Sequence, residues 1–143
     1  MTQDTSDSVR IADLLHSAAI HLLRRVSRHD AASGLSAARL SALSVIVYAD
    51  RVTMSELAQA EGVRLPTISR LVDGLERDGL VLRQTDPSDR RVVHLTATES
   101  GRHLLEEARQ RRIGDLAARI ECLPAEEQAT LAAAAEILDG LGK

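Results

Sequence analysis

Apolar side chains recur with helical spacing along most of this chain. Ile11, Leu14, Leu15, Ala18, Ala19, Leu22, Leu23 and Val26 fall at three- and four-residue steps, the repeat of one helix face. The pattern begins only at Val9, so the polar stretch 1–8 predicts a frayed, disordered tail. The first helix is expected to stop before Asp30-Ala31-Ala32-Ser33-Gly34, a loop. Ser36 can cap a second helix carrying Leu40, Leu43, Val47 and Tyr48.

Further starts are signalled by side-chain chemistry. Thr53-Met54-Ser55-Glu56 and Thr96-Ala97-Thr98-Glu99 both have capping-box spacing, a hydroxyl followed three places on by a carboxylate. Pro66 suits the first position of a helix, where a missing N–H costs nothing. That helix would bury Ile68, Leu71, Val72 and Leu75 and stop near Gly79. Leu80-Val81-Leu82 and Val92-Val93-His94-Leu95 are short strand-like runs around a turn at Asp86-Pro87-Ser88-Asp89, a predicted β-hairpin. Two more helices follow, from about Thr96 to Cys122 and from about Pro124 to Leu141.

The order from Thr53 to Leu95 is that of a winged helix-turn-helix: a short helix (Ser55 to Ala60), a tight connection at Glu61-Gly62-Val63, a second helix, then a hairpin wing. The expected fold class is mainly α with a small β-hairpin wing. The winged lobe would span about 36–96, flanked by helices at about 9–29 and 97–141, all within one domain covering 9–143.

The exposed side of the second helix presents Pro66, Thr67, Ser69, Arg70 and Asp73, with Arg64 on its approach. Short hydroxyl side chains can reach phosphates or base edges, and Arg is the usual reader of guanine. The hairpin tip carries Asp89-Arg90-Arg91, and an Arg held on a protruding loop suits the negative potential of a minor groove. The candidate DNA-contacting residues are therefore Arg64, Pro66, Thr67, Ser69, Arg70, Asp89, Arg90 and Arg91. The net charge of −3 tempers this reading, and residues 64–95 hold six Arg against five acids, so any positive footprint must come from placement.

Composition narrows the alternatives. One Tyr, no Phe and no Trp count against base stacking and leave a core of aliphatic side chains. A single Cys allows no intrachain disulfide and fits a reducing cytoplasm, and no apolar run is long enough to span a membrane. No nucleophile elbow, phosphate-cradling glycine loop, CxxC or His-rich motif is present, so neither an enzyme nor a cofactor or metal site is expected. The His residues (16, 21, 29, 94 and 103) form no i, i+4 ligand pair, and His94 and His103 read as surface residues. Tyr48 reads as core filler. Cys122 reads as a structural, at least partly buried thiol, because Glu121 and a helix carboxyl end put negative charge where a thiolate needs positive.

The stretches Ser55-Glu56-Leu57-Ala58, Pro66-Thr67-Ile68-Ser69-Arg70-Leu71-Val72, Leu75-Glu76-Arg77-Asp78-Gly79-Leu80-Val81 and Asp86-Pro87-Ser88-Asp89-Arg90-Arg91 resemble the multiple-antibiotic-resistance regulator (MarR) family. Asp89, Arg91, Leu95 and Thr96 match its wing pattern, and the match covers about residues 53–101. The resemblance implies a homodimer whose terminal helices interlock, two winged lobes on a pseudo-palindromic duplex DNA operator, and a repressor released by a small-molecule effector. It also implies that Arg91 enters the minor groove with Asp89 orienting it, while Thr67, Ser69 and Arg70 meet the major groove. The rival reading is a winged-helix protein-interaction module that does not bind DNA.

Overall fold

The computed structural model describes residues 2–141, with side chains from Ser6 onward except that of His29. Its elements run α1 (Thr2–Val26), a 3-10 helix (Ser27–Ser33), α2 (Ala37–Ala49), β1 (Val52–Thr53), α3 (Met54–Glu61), α4 (Leu65–Arg77), β2 (Val81–Thr85), β3 (Val93–Ala97), α5 (Glu99–Ile120) and α6 (Ala125–Leu141). The mainly helical fold with a β-hairpin wing is the one that the hydrophobic pattern predicts.

Local chemistry sets most of the boundaries. The Ser36 side chain accepts the Arg39 N–H at the start of α2. The capping box at α3 is complete: Thr53 Oγ1 accepts the Glu56 N–H, and Glu56 Oε2 accepts the Thr53 N–H. Gly62 closes α3 at φ 63, a left-handed conformation that favours glycine, which lets α4 start only three residues later. Gly79 (φ 70) ends α4 in a Schellman arrangement, its N–H bonded to Glu76 O while the Leu80 N–H reaches Leu75 O. The chain thereby turns directly into β2.

Four boundaries differ from the sequence reading. Residues 2–8, expected as a disordered tail, continue α1 back to Thr2; Met1 lies outside the described residues. Asp7 there pairs with Arg10 one turn on, at 3.7 Å, a spacing that supports helix. The expected loop at 30–34 is largely a 3-10 helix, closed by Gly34. Pro66 sits second in α4, after Leu65, still within the turn where its missing N–H costs nothing. The second expected capping box does not form: Thr96 belongs to β3, and Thr98 caps α5 by accepting the Gly101 N–H.

The sheet holds three strands in the order β1-β3-β2, all antiparallel. β1 pairs Val52 with Leu95 and Thr53 with His94, which ties the approach to α3 to the far strand of the wing. The core is one cluster. Leu43 and Ile46 (α2), Leu57 (α3), Ile68, Val72 and Leu75 (α4), Val81 (β2) and Leu95 (β3) are fully enclosed, and Leu105 and Ala108 of α5 extend it. At about 25 cal/mol per Å2, this aliphatic burial supplies the main drive for the lobe to fold. Gly101 lets α5 dock: a Cβ there would stand 2.2 Å from Leu80 O.

Tyr48 is not core filler; it is 72% exposed, because Leu40, Leu43 and Ile46 define the inward face of α2 and Tyr48 falls on the other side. Cys122 is exposed rather than buried, since it lies in the turn after α5, well beyond Ala108, the last buried residue of that helix. Neither α1 nor α6 contributes a buried residue among those described. No single described helix is long and apolar enough to cross a membrane.

Candidate nucleic-acid interface

α4 buries Ile68, Val72 and Leu75 and turns its other side outward. Arg64, Pro66, Thr67 and Arg70 are exposed on that side, and Ser69 is half-buried. The helix amino end carries no side-chain cap; the Arg64 carbonyl accepts the N–H groups of Thr67 (3.0 Å) and Ile68 (3.2 Å) instead. Asp73 also lies on this face, where it would oppose a phosphate, but it is engaged by an ion pair.

Arg83, on β2, makes that pair. Its Nη2 lies 2.5 Å from Asp73 Oδ1, its Nε 3.3 Å from Glu76 Oε2, and Nη2 also donates to Ser69 O at 3.4 Å. One guanidinium therefore pairs with two carboxylates of α4, compensating one of their two charges, and ties the wing's first strand to that helix. Arg39 of α2 does the same for Asp78, at 2.5 Å, with its guanidinium passing over Gly74. A Cβ at position 74 would stand 3.0 Å from Arg39 Nε. Neither Arg39 nor Arg83 was among the sequence candidates. Their partners lie 39 and 10 residues away, beyond any helical or strand repeat.

The wing tip is organised by Asp86. Its Oδ1 accepts the Ser88 N–H (2.8 Å), the Ser88 hydroxyl (2.5 Å) and the Asp89 N–H (3.3 Å). Its Oδ2 lies 3.0 Å from His94 Nε2 on β3 and 3.8 Å from Arg51 Nη2 beside β1. The Ser88 hydroxyl, the Ser88 N–H and then His94 hold the Asp86 carboxyl well below the usual carboxylate range. His94 is thus half-buried in the wing, not a free surface residue, whereas His103 is exposed. Asp89 acts within the tip as well, its Oδ1 accepting the backbone N–H of Arg91 at 2.9 Å. Its contact is with the backbone of Arg91, not the guanidinium.

These bonds resolve the charge balance of the lobe. Each acid between residues 64 and 95 has a local partner: Asp73 and Glu76 pair with Arg83, Asp78 with Arg39, Asp86 with Ser88 and His94, and Asp89 with the Arg91 backbone. Arg64, Arg70, Arg90 and Arg91 are exposed and take part in none of the ion pairs among the described residues. Arg91 borders a shallow cavity with Thr53, Met54 and Ser55, so the wing tip stands beside the start of α3. Among the described residues no cluster of three or more His, Cys, Asp or Glu could hold a metal; the His29 side chain lies outside them.

The MarR family model matches residues 35–93, from just before α2 to the first residue of β3. The HTH-type transcriptional regulator MT0903.1 of Mycobacterium tuberculosis is 33% identical over 129 residues, 90% of each chain. The chain belongs to the MarR family of HTH-type transcriptional regulators. Among similar solved structures, a protein from Pseudomonas aeruginosa described as a transcriptional regulator superposes with a TM-score of 0.82 at 31% identity, covering 96% of both chains. Wild-type MarR from E. coli gives 0.71 at 27% identity, covering 89% of this chain and 95% of its own. These superpositions extend beyond the winged lobe over most of the chain.

Proposed function

We propose that this MarR-family regulator is a cytoplasmic homodimer that binds a pseudo-palindromic duplex operator and represses transcription until a small-molecule effector releases it. α4 would lie in the major groove, with Thr67, Ser69 and Arg70 toward base edges and Arg64 and Pro66 at its entry. Arg90 and Arg91 would reach the adjoining minor groove, with Asp89 fixing the backbone that carries Arg91.

The observation that carries this reading is the sorting of charge. Every acid of the lobe is engaged internally, while four arginines on α4's approach, α4 and the wing are left for an external anion. A weakly acidic protein can bind a polyanion this way, because within a Debye length the local field outweighs the net charge. The open cleft of about 340 Å3 bordered by Val26, Tyr48, Leu105, Arg109, Ile113 and Leu116 lies between α2 and α5 at the end of α1, where an effector would enter.

The test is binding to random and selected duplex DNA across a salt series. Specific binding with a steep salt slope is expected. Absence of salt-dependent binding to any duplex would leave the fold as a protein-interaction module instead.

A further inference from the structure

Leu65 opens α4 with 49% of its surface exposed, close to Val63 at 38% and to the exposed ring of Pro66. Neither Val63 nor Leu65 belongs to the buried core or to the half-buried residues packed against it. An aliphatic side chain left this open forgoes burial that the rest of the lobe uses in full. Helix formation does not call for it either. An acid in the first turn suits the helix dipole better, and α4 has none there. Arg64, Leu65, Pro66 and Thr67 thus form an amino end with one cation, no acid and a small apolar surface.

Isolated exposed leucines are common on protein surfaces and need no function. What sets this one apart is its place. A helix docked in a major groove meets base edges with its amino-terminal residues. Leu65 stands one turn before Ser69, and Pro66 one turn before Arg70, so each shares a row with a residue proposed to face base edges. Every base edge in the major groove offers hydrogen-bonding atoms, and only thymine also offers a methyl group. An aliphatic side chain pressed on the other edges strips water from donors and acceptors without replacing the lost bonds. Against the thymine methyl, the same contact buries carbon on carbon.

We propose that Leu65 reads the 5-methyl group of a thymine in each operator half-site. The inference rests on the duplex-binding reading and deepens it, by naming a base that the site selects and the side chain that selects it. Phosphates and polar base edges fall to the arginines and hydroxyls, while Leu65 fixes a T·A pair where α4 enters the groove.

Deoxyuridine tests it, because it lacks only that methyl and keeps the pairing of thymine. In a duplex selected by the full chain, thymines are replaced one symmetric pair at a time, and binding is read by fluorescence anisotropy. At one pair the wild type should bind about fourfold more weakly per half-site, the worth of one buried methyl. Leu65→Ser should keep its helicity, bind the thymine duplex more weakly and no longer distinguish uracil at that pair. If its helicity fell, Leu65→Gln, a better helix former, would take its place. Leu65→Met, still apolar, should keep the distinction. A selected duplex in which no thymine methyl matters overturns the inference while duplex binding stands. So does a preference for thymine that persists in Leu65→Ser, which would assign it to another side chain or to DNA shape. A chain that binds no duplex overturns both this inference and the reading beneath it.

Discussion

Arg83 on the wing's first strand holds Asp73 on the outward face of α4, with Nη2 2.5 Å from Oδ1. The same side chain reaches Glu76 and the Ser69 carbonyl, so it couples the wing to the helix and compensates one of the two negative charges on the face proposed to meet DNA. Both partners are partly exposed (28% and 49%), so the pair is worth little to folding, under about 1 kcal/mol after solvent screening. Arg83→Ala should therefore barely lower the melting temperature yet weaken duplex binding markedly, by leaving Asp73 and Glu76 facing phosphates. Paired thermal melts and anisotropy titrations check this; equal losses in both would make Arg83 merely structural.

Arg91→Ala should weaken binding to most duplex sequences without unfolding the protein. Loss of one phosphate or groove charge lowers the slope of log affinity against log salt by about 1. Fluorescence anisotropy over a salt series reads the slope, and an unaltered value would place the wing away from DNA. Thr67→Ala and Ser69→Ala should change sequence preference as well as affinity.

The Asp86 carboxyl is held below its ordinary range in the folded wing, chiefly by Ser88. A carboxyl with a depressed folded pKa stabilises the protein above its unfolded pKa, near 4, and that contribution is lost as pH falls through the folded value. Stability should thus decline progressively below about pH 4, and Asp86→Asn should show a shallower decline with lower stability at neutral pH. Urea melts at stepped pH measure both. Since Asp86 also shapes the tip carrying Arg90 and Arg91, the variant should bind DNA less tightly at neutral pH.

Gly101→Ala places a methyl 2.2 Å from the Leu80 carbonyl oxygen, a backbone atom that no rotamer change can move. α5 must shift away from the lobe, at a cost of about 1–3 kcal/mol, despite alanine's better helix propensity. Denaturant unfolding gives the magnitude, and a stabilised variant would show that the approach of α5 is looser than described.

Cys122, though exposed, has Glu121 beside it and donates to Ala118 O at 3.3 Å. Mild hydroperoxide should not release DNA from the wild type or from Cys122→Ser. Release confined to the wild type would establish a redox switch through this thiol.

The sequence by itself determined the elements whose causes are local. Thr53 and Glu56 write the start of α3 within four residues, Pro66 marks the first turn of α4, and Asp86-Pro87-Ser88-Asp89 writes the wing turn. The spacing of Ile68, Val72 and Leu75 assigned the buried face of α4, and with it the outward face where Thr67 and Arg70 lie. Only the tertiary structure decided which charges remain for a partner. Six arginines against five acids cannot be sorted by counting; the outcome depends on Arg83 meeting Asp73, Arg39 meeting Asp78 and His94 meeting Asp86. The two-residue strand Val52–Thr53 was equally hidden, since so short a segment has no period and becomes a strand only because Leu95 and His94 of the wing lie beside it. Caps, turns and amphipathic faces involve neighbours within one helical turn or a strand pair. Ion pairs and sheet edges depend on how whole elements dock, and that is set by the shared aliphatic core rather than by any local spacing.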